Sequence, residues 1–398
     1  MDWLIPKNIR SYAERLALKW IKEHDNKEDG LGGIYTAMEY EIKALLSLGY
    51  PIDHPLIEKA INAIQRLEIR EKNYSYMQPC ISPVWDTSIA MHALRYTLQK
   101  TKDPLYQGLD WLASKQLIGV PGDWSLDRPN LKGGGWAFQF NNPFYPDLDD
   151  TAMCGWAMAA IDQERYKKNI EFAKTWLLGM QSKNGGFAAF SVDQNFDYLN
   201  LIPFADHGAL LDPPTEDVTG RVLSFFGFLD HEELSQSIDK AVDYLKKIQH
   251  SDGSWWGRWG TNYLYGTFSA LVGLMHVNVS PKEPFIQKAV NYLLSTQHSD
   301  GGWGESCDSY MGSNTKKTKE SSSLFHTSIV LIALMYTDHS HAPKVDKGIE
   351  YLLQRKESWS DTHFNAPGFP RVFYLKYHGY EILFPLWALG LYKEKKGI

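Results

Sequence analysis

The hydrophobic positions of this chain recur at helical spacing, and they form paired runs separated by glycine-rich turns. The first run of each pair is amphipathic, with Lys and Glu on one face, and it ends in an aromatic residue followed by Leu. The second run is apolar nearly all round. We predict helices for these second runs, at residues 35–48, 87–96, 151–161, 219–228, 266–275 and 326–335.

The turn between the runs repeats a motif in which Gln precedes glycine and an aromatic residue. Such side chains can tie a helix end to the next turn by hydrogen bonding and stacking, so we predict a structural role for them. Two weaker copies run from Gln116 to Trp124 and from Trp20 to residues 32–34, with His24 at the Gln position. The clear copies have Gln181, Gln249 and Gln297 before turns at 185–187, 253–255 and 301–303.

Repeated helix pairs without sustained β-type alternation predict an all-α fold. Because the second helices are apolar on every side, as inner helices must be, we expect the pairs to close into a double-ring α/α barrel. The turns would then share one end of the barrel, where function-bearing segments collect. We expect a linker at residues 73–83 and a mobile surface loop at 312–323. The segments expected to line one mouth are 133–150, 206–218, 255–265 and 367–380.

Composition narrows the function classes. The 398 residues include 14 Trp, 22 Tyr and 18 Phe, and the net charge of −6 with scattered basic residues argues against a nucleic-acid partner. Cys80, Cys154 and Cys307 lie far apart, which disfavours a disulfide framework and fits a reducing cytosol. No apolar run reaches the roughly 20 residues of a membrane-spanning helix.

Three carboxylates, Asp147, Asp149 and Asp150, fall within four residues at the start of an apolar helix. Like charges this close couple their titrations and raise at least one pKa. Capping the helix would need one acid, and aromatic residues rather than polar ones surround this group. We therefore predict acid chemistry here. The surrounding aromatic residues are Trp136, Phe138, Phe140, Phe144, Tyr145 and Trp156.

A second polar pair, Asp217 and Arg221, lies at the start of a later helix. The two could form an ordinary i,i+4 ion pair. Alternatively, Arg221 could lie against the three acids and stabilise them. The sequence leaves both interpretations open.

Aromatic residues are too numerous for routine core packing. Aromatic faces stabilise a desolvated cation, and an acid that opens into an aromatic cup could make a carbocation while excluding water. The candidate residues are Trp85, Phe138, Phe190, Trp255, Trp259, Tyr263, Tyr265, Phe369, Phe373, Tyr377 and Tyr380.

Metal and phosphate motifs are weak. Asp149-Asp150 lacks the third acid of an Asp-Asp-x-x-Asp site, and the three glycines from Gly133 have no P-loop Lys after them. A zinc site from residues 305–307 with His326, like that of protein prenyltransferases, is a minor alternative.

The run from Asp147 to Ala152 resembles the Asp-x-Asp-Asp-Thr-Ala protonation motif of squalene-hopene cyclases, and the Gln and aromatic repeats resemble that family's QW motifs. Segments 82–87, 212–219, 258–267 and 368–385 match the family in the same order.

The resemblance implies that Asp149 protonates the terminal double bond of a linear isoprenoid. Asp147, Asp150 and Asp217 would form the polar cluster behind it, and Tyr265 would orient and reprotonate it through water. Arg221 stands where some members have a His that pairs with the acid, and Phe190 stands where a Tyr is often found. The implied cavity residues are Trp85, Phe138, Phe190, Trp259, Phe369, Phe373, Tyr377, Tyr380 and Ile34.

The resemblance implies no metal, diphosphate or other cofactor. It implies a homodimer bound to one leaflet of the cytoplasmic membrane, peripherally or monotopically. Family members are longer, so residues 1–78 would be a remnant of a second helical barrel and residues 79–398 the catalytic barrel.

Several alternatives remain open at this point. The substrate could be squalene or a C35 polyprene such as tetraprenyl-β-curcumene. The chain could be a truncated or split cyclase that needs a complementing N-terminal segment. An α/α-barrel glycoside hydrolase with paired acids and a protein-binding helical toroid are the other two classes.

Overall fold

A computed structural model describes residues 5–97, 103–201, 210–312, 320–356 and 363–398. Residues 206–209 of one expected mouth segment and 313–319 of the expected surface loop lie outside these ranges. The helices are α1 Lys7–Glu23, α2 Tyr35–Ser47, α3 Pro55–Arg66, α4 Pro83–Thr97, α5 Asp103–Lys115, α6 Leu148–Asp162, α7 Lys167–Gly179, α8 Glu216–Phe226, α9 His231–Ile248, α10 Tyr263–His276, α11 Pro284–Ser295, α12 Leu324–Tyr336, α13 Pro343–Gln354 and α14 Tyr380–Lys396.

Six helices form a closed inner ring. In ring order they are α4, α6, α8, α10, α12 and α14, and α14 packs back against α4. The outer helices α5, α7, α9, α11 and α13 pack against this ring. The predicted all-α double-ring architecture is therefore confirmed.

The burial of the helices follows their sequence patterns. Every residue of α12 from Leu324 to Met335 is buried, as its apolar sequence predicts for an inner helix. The outer helix α9 instead buries one stripe, at Leu234, Ile238, Ala241 and Leu245.

The repeated Gln side chains join each turn to the next outer helix. Gln181 Nε2 donates to Gly185 O and to Ser237 O, both at 2.9 Å. Gln249 repeats this with Gly253 O and Phe285 O, at 2.9 and 2.8 Å. These contacts agree with the predicted structural role. Gln116 and Gln297 make equivalent pairs of bonds.

The repeated glycine is required by its backbone. Gly185 and Gly253 have φ of +92° and +95°, which L side chains rarely adopt. A Cβ atom at either position would also collide with a backbone carbonyl of the next outer helix.

Two weak repeat copies differ from the prediction. The aromatic residue of the Gln116 copy is Trp136, whose Nε1 donates to Leu112 O at 2.6 Å, and Trp124 lies in a separate 3₁₀ turn. In this copy 17 residues separate Gln116 from Gly134, whereas three separate Gln181 from Gly185, so the aromatic residue of the turn lies beyond Trp124. His24 does not bind the turn as Gln does. Its ring nitrogens instead contact Trp20 O and Asp123 Oδ1, at 2.8 and 2.7 Å.

The strands are short, as the absence of alternation predicts. Each sheet is an antiparallel pair: β1 Glu68–Arg70 with β2 Ser75–Met77, β3 Trp136–Ala137 with β4 Pro146–Asp147, and β5 Ala366–Phe369 with β6 Phe373–Leu375. In the second pair, Trp136 lies opposite Asp147. This pairing places the glycine-rich turn beside the first acid.

Residues 5–67 form a small N-terminal unit. Helices α2 and α3 pack together around a core of Leu31, Met38, Ala63 and Leu67. Among the helices of the described ranges, none combines the length and apolar character needed to cross a bilayer.

Candidate active site

The acid motif opens helix α6. The Asp147 side chain caps the helix by accepting from the backbone N–H of Asp150 at 2.7 Å. The Thr151 hydroxyl donates to Asp147 O at 2.6 Å and accepts from the Trp136 N–H at 3.0 Å. These bonds fix the glycine-rich turn against the first turn of α6, so capping and the close grouping of the acids occur together.

Asp149 is buried and paired with a cation. Its residue is 8% exposed, and its Oδ1 accepts from Arg221 Nε at 3.1 Å. Burial raises the pKa of Asp149 to about 6, against the lowering influence of Arg221 and with a further rise from the charge of Asp217. About a tenth of this carboxyl group is therefore protonated at pH 7, far more than of an ordinary aspartate.

The neighbouring acids also hold protons more tightly than ordinary carboxyls. Burial raises the pKa of Asp147 to about 7. Burial and the charge of Asp147 raise the pKa of Asp150 well above its usual value. The two titrate as a pair, so the acid motif keeps part of its protons at neutral pH.

Arg221 connects three helices of the inner ring. Besides Asp149 on α6, it donates through Nη2 to Tyr265 OH at 2.6 Å and to Ser269 Oγ at 3.3 Å, both on α10. Its guanidinium lies 5.1 Å from the ring centre of Trp85. A permanent cation in this position holds Asp149 in one orientation.

Asp217 does not bond to Arg221, so the interpretation of these two residues as an i,i+4 ion pair is wrong. The alternative interpretation, in which Arg221 lies against the three acids, is correct for Asp149. Asp217 Oδ2 accepts the backbone N–H groups of Arg258 and Trp259 at 2.8 and 2.7 Å. Its Oδ1 accepts from the Thr215 hydroxyl at 2.6 Å. Asp217 thereby fixes the segment that carries Trp259.

The aromatic residues form two groups. Trp85 Nε1 donates to Tyr380 OH at 2.7 Å, and Tyr380 stacks on Tyr377 with ring centres 4.7 Å apart. Phe138 meets Tyr377 edge-on at 6.3 Å. In the second group, Phe190 meets Trp259 edge-on at 6.1 Å.

Three further residues that the sequence analysis assigned to the cavity lie outside these two aromatic groups. Phe369 and Phe373 contact each other at 5.3 Å on the β5–β6 hairpin. Ile34 is half-buried at the start of α2, where the adjacent Gly32 carbonyl accepts from Gln139 at 3.2 Å. No contact described for these three reaches Asp149, so their roles remain predictions.

A cavity of about 480 Å³ lies between the linker and the β5–β6 hairpin. Its lining includes Cys80, Asp86, Tyr374 and Tyr377, and Asp149 lies outside this lining. The cavity meets the aromatic group at Tyr377. Asp86 in its lining also acts on the acid cluster electrostatically, because its charge contributes to the raised pKa of Asp150.

Sequence reasoning missed Asp212 and Ser269 as parts of the site. Half-buried Asp212 accepts the backbone N–H groups of Phe190 and Ser191 at 2.6 and 2.9 Å. The signal for Asp212 was its place in a segment that resembled the family. Ser269 stands one helical turn after Tyr265, on the same face of α10.

The residues of the alternative zinc site hold backbone groups. Glu305 accepts from the N–H groups of residues 262–264, and His326 Nε2 contacts Thr261 O at 2.8 Å. Within the described ranges, no three His, Cys, Asp or Glu residues are grouped as a metal site would require.

Two family profiles and several known proteins match nearly the whole chain. The profile of the squalene-hopene cyclase C-terminal domain matches residues 81–394, and that of the N-terminal domain matches residues 1–73. The chain is 43% identical to the squalene-hopene cyclase of Bradyrhizobium diazoefficiens and 42% identical to that of Zymomonas mobilis. Each match covers 98% of this chain but 61% and 62% of the relative. The chain thus spans about three fifths of the length of these relatives.

Solved structures show the same fold at low identity. The ent-copalyl diphosphate synthase of Streptomyces platensis superposes with a TM-score of 0.57 at 18% identity, over 86% of this chain and 56% of that one. The chain belongs to the squalene-hopene cyclase family.

Proposed function

We propose that this chain cyclises a linear polyprene by protonating its terminal alkene with Asp149. The observation that supports this most is a buried carboxyl group with a raised pKa that accepts from Arg221, whose guanidinium lies against the rings of Trp85 and Tyr265. An alkene is a weak base, so its protonation needs an acid that is both protonated and strong. Burial supplies the first property, and the Arg221 cation supplies the second because it stabilises the carboxylate that is left.

In the proposed reaction, the proton moves from the Asp149 carboxyl to the terminal alkene carbon and leaves a tertiary carbocation. Successive alkenes attack this cation and close the rings, and the last cation becomes a neutral product either by losing a proton to a base or by adding a water molecule that then loses a proton. The aromatic rings of Trp85, Trp259 and Tyr380 stabilise the moving charge, and their bulk excludes water. Asp217 and Asp212 act on the cavity wall, because they fix the backbone at Trp259 and Phe190.

The substrate class is a linear isoprenoid, with squalene and a C35 polyprene as the two candidates. Such a substrate is apolar, so we propose that the chain works peripherally on one leaflet of the cytoplasmic membrane. The homodimer implied by the family is also a proposal, and sedimentation of the purified chain measures it. A chain that needs a complementing N-terminal segment is the remaining alternative.

The test uses the purified chain with squalene or tetraprenyl-β-curcumene in detergent prepared in D₂O. Because the Asp149 proton exchanges with solvent, each cyclic product should carry one deuterium at the carbon that was protonated. Gas chromatography with mass spectrometry detects it. If no product forms from either substrate, alone or with the N-terminal segment of a relative, the proposal is wrong.

A further inference from the structure

His24 stands where the other repeats have Gln, and its side chain has different hydrogen-bonding needs. The amide nitrogen of Gln181 carries two N–H groups without a charge and donates both to backbone carbonyls. An imidazole carries two N–H groups only when it is protonated. Both nitrogens of His24 nevertheless face acceptors, because Nδ1 lies 2.8 Å from Trp20 O and Nε2 lies 2.7 Å from Asp123 Oδ1. The two bonds therefore form together only when the His24–Asp123 pair holds an additional proton.

The environment of His24 suits a charged ring. His24 is 8% exposed, and the carboxylate of Asp123 lies directly opposite its Nε2. The other groups around it are two aromatic rings, Trp20 and Phe144 with ring centres at 4.1 and 4.3 Å, and the adjacent ion pair of Asp25 with Lys59. Since Asp25 and Lys59 neutralise each other, Asp123 is the group that compensates the proton on His24.

Asp123 also contacts the segment that leads into the acid motif. Its backbone N–H donates to Phe144 O at 3.1 Å, and its Oδ2 accepts from the Tyr145 hydroxyl at 2.6 Å. Strand β4 follows at once and ends at Asp147, which caps helix α6. The ring of Tyr145 meets Phe190 edge-on at 6.3 Å. The orientation of Asp123 therefore affects both the acid motif and an aromatic residue assigned to the cavity wall.

We propose that His24 is a positioning residue whose protonated ring holds the N-terminal unit against the segment before the acid motif, through Asp123. When the proton leaves, one of the two bonds of His24 breaks, because a neutral ring has a single N–H. Histidine side chains change charge between about pH 5 and 8, so this connection is strong at low pH and weak at high pH. The inference rests on these contacts and not on the proposed cyclisation. It is measured without substrate, so its failure is distinguishable from failure of the cyclisation proposal.

Hydrogen exchange of the full chain, followed by mass spectrometry, tests the proposal at about pH 5.5 and pH 8.5. The measured quantity is the protection factor, which is corrected for the effect of pH on intrinsic exchange. In the wild-type chain, protection of residues 123–128 should fall about tenfold at the higher pH, as expected for the loss of one charge-assisted hydrogen bond.

The variant His24→Gln restores the residue of the other repeats, which donates without an additional proton. The fall should then be about twofold or less. His341→Gln is the matched control, because His341 is an exposed histidine just before α13, and it should keep the wild-type fall. Asp147 also titrates in this interval, since burial raises its pKa to about 7, but it does so in every variant. The comparison of the two His variants therefore isolates the contribution of His24.

A second variant and a direct measurement complete the test. Asp123→Asn keeps an acceptor but removes the charge opposite His24, so the fall in protection should move to lower pH. NMR of the chain labelled at histidine Cε1 follows the protonation of His24, whose signal is the one missing from His24→Gln. Far-UV circular dichroism checks folding. Should His24→Gln not fold, the wild-type fall and its displacement in Asp123→Asn decide the question.

Three results would overturn the proposal. The first is equal protection of residues 123–128 at both pH values in the wild-type chain. The second is a fall of the wild-type size in His24→Gln, or one that stays at the wild-type pH in Asp123→Asn. The third is a neutral His24 ring at a pH where residues 123–128 are fully protected.

Discussion

The inner ring holds an arginine at each end, buried Arg221 and half-buried Arg95, and the two have different neighbours. Arg221, near the N-terminal ends of α6, α8 and α10, donates to Asp149 and Tyr265. Arg95, near the C-terminal end of α4, donates to Tyr96 OH at 2.5 Å and to Tyr336 OH at 3.3 Å. In the part of the chain that the structure describes, Arg95 forms no ion pair with a carboxylate.

The helix dipoles explain why the two arginines have different neighbours. The inner helices run parallel, so their partly positive N-terminal ends meet at the acid cluster and their partly negative C-terminal ends meet near Arg95. Carboxylates are stabilised at the first end and a lone cation at the second. Beside Arg95, burial and, after it, the charge of Arg95 lower the pKa of His276 to about 3. Only the acid end therefore offers a proton near neutral pH.

The largest expected effect is a difference in rate between substitutions at the two ends of helix α6. Asp149→Asn removes the proposed proton donor at the start of α6, so product formation should fall at least about 1000-fold, or ~4 kcal/mol in the barrier. Asp162→Asn changes the far end of α6, where the carboxylate accepts from Tyr106 OH at 3.1 Å, and should leave the rate within about twofold. Product analysis by gas chromatography measures both. An active, folded Asp149→Asn chain would show that the acid is assigned wrongly.

The two arginines give the next comparison. Arg221→Gln removes the charge that lowers the pKa of Asp149, so the acid becomes weaker and the rate should fall about 100-fold. The pH profile should also move to higher pH. Arg95→Gln should lower the melting temperature but leave the pH profile of the rate unchanged. Equal shifts of the pH profile in both variants would break the comparison.

The wild-type rate should depend on pH through the acid end alone. Asp149 must be protonated to act, and its pKa is about 6. Hence kcat/KM should be highest below pH 6 and fall about tenfold per pH unit above it. Initial rates between pH 5 and 8 measure this. A rate that rises across this interval would require the carboxylate to act as a base.

The smallest expected effect is on stability. Burial raises the pKa of Glu216, beside the acid cluster, to about 8, above its usual 4.5. The protonated form therefore favours folding, and this stability is present at low pH and lost as the pH rises from 4.5 through 8. Glu216→Gln should remove most of this pH dependence.

Urea unfolding at pH 5 and pH 8.5 compares Glu216→Gln with Glu171→Gln, an exposed glutamate on α7. The control should keep the wild-type difference between the two pH values. If Glu216→Gln also keeps it, Glu216 does not titrate as its burial indicates.

The inner helices could be predicted from the sequence because the evidence for each helix lies within a short segment. The run predicted at 151–161 is helix Leu148–Asp162, and the run at 266–275 is Tyr263–His276. Helical periodicity and a repeated glycine turn are present within each short window of sequence. Closure of the ring followed because helices that are apolar on all sides need neighbours on all sides.

The partners within the site could not be predicted in this way. Arg221 is four residues from Asp217 and 72 from Asp149, and only the closed ring shows that it bonds to the distant acid. Asp217 and Asp212 accept backbone N–H groups from turns elsewhere in the sequence, and only the folded structure shows which turns these are. The additional residues before Trp136 likewise hide the turn of the Gln116 repeat, because the sequence does not show that Trp136 folds back onto Leu112.

The contact between α14 and α4 also affects how the protein is made. Five inner helices emerge from the ribosome before α14, and until α14 arrives the barrel is an open arc with an apolar edge on α4 and another on α12. The barrel therefore cannot close until α14 has been synthesised. Until then the nascent arc is a target for chaperones that shield apolar surface.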